Sequence, residues 1–197
     1  MKLVERNEYL ETLCKDKSVL HLGAAEGIDT REANKEKNNW LHGRLRKVCK
    51  KLVGYDLYPQ DEPDIIGGDI EETPHYGEYD YIIMGELIEH LSNPGEALWN
   101  LRYAKGELVI TTPNVFSIRK FFWACLNKEV VSNSHTCYYS FKTLEYLLTQ
   151  WGYQVTQKLI YAYLGEFGYF QKAFYKLFPM LTDGIIVHAK KNTIATK

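Results

Sequence analysis

At 197 residues, with 45% apolar and 25% charged side chains, the chain has the make-up of one globular domain with a sizeable core. Its 24 basic and 25 acidic side chains leave a formal net charge of −1, which excludes the overall positive field of a protein built around nucleic acid. The charged start Met1–Arg6 is unlike a secretory signal, and no apolar run approaches the ~20 residues of a membrane span, so a cytoplasmic location is expected.

In chain order, residues 2–15 are expected to form a helix, with Leu3, Tyr9, Leu10 and Leu13 at roughly helical spacing. Val19–Leu22 is a first strand, and the polar segment Asp29–Asn39 a loop or short helix. Leu41, Leu45, Val48 and Leu52 recur every three or four residues, which predicts an amphipathic helix over 40–51. Its basic cluster, Arg44, Arg46, Lys47, Lys50 and Lys51, reads as a solvated face. Strands follow at 52–56, 65–69 and 79–84, then a helix at 94–104 opened by Asn93-Pro94, and a fifth strand at 108–112. Helices are expected near 116–126 and at 142–151, the latter ended by Gly152, then a sixth strand at 153–160. A helix at 167–178 and a last strand at 184–189 complete the chain. On the helix, Phe167, Phe170, Phe174, Leu177 and Phe178 share one face, expected to cover the sheet. The alternation of strands and helices predicts one α/β domain over 1–197 with a mostly parallel sheet. Cys14, Cys49, Cys125 and Cys137 lack the short spacings of a zinc or redox site and read as reduced thiols.

Ligands of such sheets sit beyond the carboxyl ends of the strands, so the residues there matter most. The first strand ends in Gly23-Ala24-Ala25-Glu26-Gly27, a loop whose backbone N–H groups could meet an anionic group. The second ends in Asp56, an acceptor suited to two ribose hydroxyls. The third ends in Gly68-Asp69-Ile70, where Asp69 could accept from an adenine amino group and Ile70 pack on its ring. The fourth ends in Gly85-Glu86 and the fifth in Thr112-Pro113-Asn114.

Together these motifs resemble the class I S-adenosylmethionine-dependent methyltransferases, over about Ser18 to Tyr153. The run Tyr79 to Leu91, with its Glu89-His90-Leu91, looks like that family's fourth-strand signature, and Glu107–Asn114 is similar to its fifth-strand motif. The resemblance implies a Rossmann-like doubly wound sheet of seven strands in the order 3-2-1-4-5-7-6, with strand 7 antiparallel. It implies S-adenosylmethionine as cofactor, held by Gly23, Ala24, Ala25, Gly27, Asp56, Leu57, Asp69, Ile70, Gly85 and Glu86. Two departures stand out: His21 replaces the usual acid beneath the loop, and the loop lacks a central glycine.

A sulfonium methyl is already activated, so the protein must chiefly align a nucleophile with it, and a hydroxyl nucleophile gains from a base. Glu89, His90 and His135 are the expected catalytic residues. Glu86, Glu89, His90 and His135 also resemble the metal-binding set of the small-RNA 3′-end ribose methyltransferases, although no metal is the preferred reading. The expected activity is O-methylation of a small molecule or glycan precursor, with segments 115–140 and 161–180 on the acceptor side or covering the sheet. The alternatives are a metal-dependent RNA ribose methyltransferase and a non-catalytic cofactor-binding partner subunit. A nicotinamide dehydrogenase ranks last, because the loop lacks Gly-x-Gly-x-x-Gly.

Overall fold

The computed structural model describes residues 1–26, 28–37, 39–59, 61–163 and 168–192. Eight strands form one sheet: β1 (Leu3–Val4), β2 (Ser18–Leu22), β3 (Lys51–Asp56), β4 (Ile65–Gly67), β5 (Gly77–Gly85), β6 (Ala104–Pro113), β7 (Tyr153–Tyr161) and β8 (Gly184–Lys191). Their order is β1-β7-β8-β6-β5-β2-β3-β4. Counted from Val19, that is the expected order 3-2-1-4-5-7-6. β8 runs antiparallel to both neighbours, and every other pairing is parallel.

The additional strand corrects the expected helix over 2–15. Leu3 pairs with Ile160 and Val4 with Tyr161, extending the sheet beyond β7. The helix α1 (Arg6–Cys14) starts later because Glu5 caps it, its carboxylate accepting from the N–H groups of Asn7 and Glu8. Of the two readings of the polar segment, a loop or a short helix, the structure has the helix, α2 (Ile28–Glu36). The helix expected over 40–51 shrinks to α3 (Leu41–Leu45), then tightens into i→i+3 turns at Lys47 and Val48 that hand the chain to β3. Its basic residues are paired as well as solvated: Arg44 meets Glu11 at 2.5 Å, and Arg46 meets Asp64 and Glu62.

The central strands are buried on both faces, and their side chains alternate between two cores. Leu20, Ile82, Met84, Leu108, Ile110 and Val187 pack on one side, with Leu98 of α4 (Pro94–Asn100) and Leu144 and Leu148 of α6 (Phe141–Gln150). Val19, Ile83, Val109 and Ile186 pack on the other, with Leu10 of α1 and Leu45 of α3. Between them α5 (Ile118–Cys125) follows β6, and α7 (Gly168–Leu177) precedes β8.

Helix α7 departs from expectation. Its anchor is Tyr175, buried, with its hydroxyl 3.4 Å from Asp183 Oδ2. That anchor turns Phe170, Leu177 and Phe178 outward, so the phenylalanine face does not cover the sheet. Phe167 lies outside the described residues.

Candidate active site

The chain leaves β2 through Gly23, whose φ of +71° only glycine adopts without strain. The N–H groups of Gly23 and Ala24 donate to the Tyr55 carbonyl at 2.9 and 3.3 Å. The next N–H, that of Ala25, donates to Asp56 Oδ2 at 2.9 Å, and Tyr58 N–H donates to Oδ1 at 2.9 Å. Three loop N–H groups expected to be free for an anion are thus spent on β3. Ala24 and Ala25 are buried against Trp40, whose indole donates to the Ala24 carbonyl, so their methyl groups shape the loop from below. Gly27 lies outside the described residues.

Beside Asp56, Leu57 is 53% exposed, an apolar wall next to a carboxylate, which is the pairing a nucleoside asks for. Asp69 is half-buried at the end of β4 and caps its own turn, one oxygen accepting from Glu71 N–H at 2.8 Å. Ile70 instead sits in the main core, with its carbonyl taken by Asn100. Beneath the loop, His21 stacks on His42 with Nδ1 atoms 3.1 Å apart, and burial followed by the neighbouring ring pushes the His21 pKa well down. A buried imidazole pair therefore stands beneath the loop where an acid is usual. These groups fit a nucleoside cofactor: a positive-φ glycine turn, a strand-end acid and an exposed apolar wall, all on the carboxyl side of the sheet.

Glu86 closes the end of β5 with φ +52°. Its carboxylate is held by Arg6 Nη1 at 3.1 Å, by Tyr163 Oη at 3.0 Å and by the hydroxyl of Tyr161. Tyr161 packs against Gly184, where any Cβ would strike its ring. Glu86 therefore ties α1, β5 and β7 together at the rim. Arg6 escaped the sequence reading. Tyr161 and Tyr163, two apart at the end of a strand, share one face, and that spacing was the available signal for their joint role.

The expected catalytic residues do converge. Glu89 and His90 lie in the short 3₁₀ turn Ile88–His90 after β5. Thr136 N–H and hydroxyl both bond the Glu89 carbonyl, which fixes the loop carrying His135 onto that turn. The rings of His90 and His135 meet edge to face at 4.6 Å. One ligand-capable atom from each of Glu89, His90 and His135 lies within 4.8 Å of the others. Glu89 is 2% exposed, accepts from the Thr112 hydroxyl at 2.9 Å through Oε2, and has no hydrogen-bond partner at Oε1. Burial, then the Glu86 charge, pushes its pKa up to about 8. Burial, then His90 and Lys120, pushes that of His135 down.

Lys120 of α5 was not foreseen here. Its ammonium is buried, without a hydrogen-bond partner, 4.9 Å from the centre of the Tyr138 ring. Burial lowers its pKa, while the fields of Glu89 and Glu86 act the other way. It lines a cleft of about 500 Å³ with Val115, Ala124, Val130 and Tyr138.

Comparison with known families matches residues 2–158 to the methyltransferase domain. Comparison with curated protein sequences finds no match. Among solved structures, a SAM-dependent methyltransferase from Archaeoglobus fulgidus is similar at 15% identity and TM-score 0.58, covering 94% of both chains. Magnesium protoporphyrin IX methyltransferase from Synechocystis, with bound SAH, is similar at 9% identity and TM-score 0.58, covering 95% of this chain and 82% of that one. A small RNA methyltransferase is similar at 15% identity and TM-score 0.56, covering 98% of this chain and 25% of that one. The chain belongs to the methyltransferase-domain family, the class I S-adenosylmethionine-dependent methyltransferases.

Proposed function

We propose that the chain methylates a hydroxyl group of a small molecule or glycan precursor. S-adenosylmethionine supplies a methyl group already activated on sulfur. Asp56 would hold the ribose and Leu57 and Asp69 the adenine, while the Gly23–Ala25 turn, its N–H groups spent on β3, would pack with Gly85 and Glu86 beside the amino-acid end. Segments 115–140 and 161–180 would form the acceptor side, with the acceptor in the cleft beside Tyr138.

One observation carries the oxygen assignment. A hydroxyl must lose its proton as it attacks, and Glu89, His90 and His135 stand together as groups able to take one. Glu89, displaced to about 8, takes a proton near neutral pH as an ordinary surface carboxylate does not. The assay is methyl transfer to matched acceptors carrying a hydroxyl, an amine or neither. Transfer to the hydroxyl compounds, lost in Glu89→Gln and His135→Ala, supports the reading, and transfer to amines alone removes it.

The same three side chains favour a second reading, a metal-assisted ribose methyltransferase, because one carboxylate and two imidazoles suit a divalent ion. Glu86, the fourth member of that set, has its carboxylate committed to Arg6, Tyr161 and Tyr163. Activity abolished by EDTA and restored by Mg or Mn would select this reading.

A further inference from the structure

Two segments on the acceptor side share an unusual composition. Residues 114–128 and 168–182 contain no Asp or Glu, although the chain as a whole carries a net charge of −1. Arg119 and Lys128 in the first and Lys172 and Lys176 in the second are exposed. So are large apolar side chains that soluble surfaces usually hide: Phe121 at 64%, Phe122 at 58% and Leu177 at 76%. Every residue of helix α5 is at least partly exposed. The segments are neighbours, since Asn114 donates to the carbonyls of Met180 and Thr182, and Ser117 meets Asp183 at 3.3 Å. Exposed apolar surface of this kind marks a contact with another phase or partner.

We infer that the α5–α7 face docks on an anionic lipid surface, its aromatic side chains entering the headgroup boundary while its basic side chains meet lipid phosphates. The argument is charge complementarity. An apolar patch on which the exposed cations Arg119, Lys128, Lys172 and Lys176 outnumber the adjoining acid Glu129 matches an anionic bilayer, the pattern of interfacial helices. A second copy of the chain is a poorer match, because an isologous contact would set these cations against one another. No helix among the described residues is long and apolar enough to cross a membrane, so the contact is at the surface. The cleft lined by Lys120, Ala124, Lys128 and Tyr138 runs along α5, so docking on this face brings it to the bilayer.

The test is co-sedimentation with vesicles of phosphatidylcholine, alone and mixed with phosphatidylglycerol, beside light scattering of the free protein. The expected result is binding to the mixed vesicles, weaker binding to phosphatidylcholine, and release by salt. Replacing Phe121 and Phe122 by Asp should weaken partition by roughly tenfold for each buried ring lost. Arg119→Glu and Lys172→Glu should each weaken it by about fivefold or more. All four positions are exposed, so the variants keep the wild-type melting temperature. Absence of binding to mixed vesicles, or equal binding to both kinds, would overturn the inference. So would a dimer that Phe121→Asp or Leu177→Asp dissociates while vesicle binding is unchanged.

Discussion

Arg6 Nη1 lies 3.1 Å from Glu86 Oε2, joining the first turn of the N-terminal helix to the end of a central strand. Both side chains are mostly buried, so removing one leaves the other charge uncompensated. Glu86 precedes the Ile88–His90 turn by two residues, and its backbone N–H is fixed by the Thr111 carbonyl at 2.9 Å. Arg6→Met and Glu86→Gln should each cost about 1–3 kcal/mol. The double variant should lose less than the two together, and denaturant unfolding of all four proteins measures that coupling. Strict additivity would show that the pair does not act as a unit.

Asp56 has a double task, which sharpens what its loss should do. Its carboxylate holds Ala25 and Tyr58 by their N–H groups and, in the proposed reading, would also take the ribose. Asp56→Ala should weaken S-adenosylhomocysteine by about 1–3 kcal/mol in calorimetry. It should also lower unfolding stability by about 1 kcal/mol, since two backbone donors lose their partner. An unchanged dissociation constant would show that the carboxylate serves the loop alone.

Glu89 links acid–base chemistry to stability, and the sign is definite. Its folded value of about 8 exceeds the ordinary 4.5, so the folded state holds a proton that the unfolded chain has released. Folding stability should therefore fall as pH rises from about 4.5 to about 8, and level off above. Glu89→Gln removes that loss at about 1.4 kcal/mol per unit of displacement, making the variant more stable near pH 8. Turnover should move the opposite way, rising in the wild type as Glu89 deprotonates and vanishing in Glu89→Gln. Melting curves and rates across that pH range check both, and a destabilised Glu89→Gln protein at pH 8 would contradict the assignment.

His135 stands on the loop that Thr136 ties to the Glu89 carbonyl. His135→Ala should lower turnover by about 10²–10⁴-fold while leaving S-adenosylhomocysteine affinity intact. Equal loss of both would move His135 to the cofactor side. Insensitivity of the wild type to EDTA would leave it a base or acceptor contact.

The strand order was legible because each central strand is a short apolar run closed by turn residues, as at Val19–Gly23 and Leu108–Pro113. Glu89, His90 and His135 were legible as a set through the family resemblance. Leu3–Val4 was not, since two residues carry no periodicity and become a strand only because β7 offers an edge. Nor was the clamp on Glu86, whose partners stand at opposite ends of the sequence. The outward face of α7 was hidden for a related reason. Its phenylalanines have helical spacing either way, and only the tertiary contact of Tyr175 with Asp183 decides which side faces water. The occupied N–H groups of the glycine loop likewise depend on Tyr55 and Asp56, more than thirty residues on.

The most direct test of the central claim is to incubate the protein with S-adenosylmethionine labelled in its methyl group and a metabolite extract, and to determine by NMR which atom of the product carries the label. The account predicts a methyl ether on a former hydroxyl, formed by the wild type and absent with Glu89→Gln. Label on nitrogen or carbon, or a product that Glu89→Gln makes equally well, would contradict it.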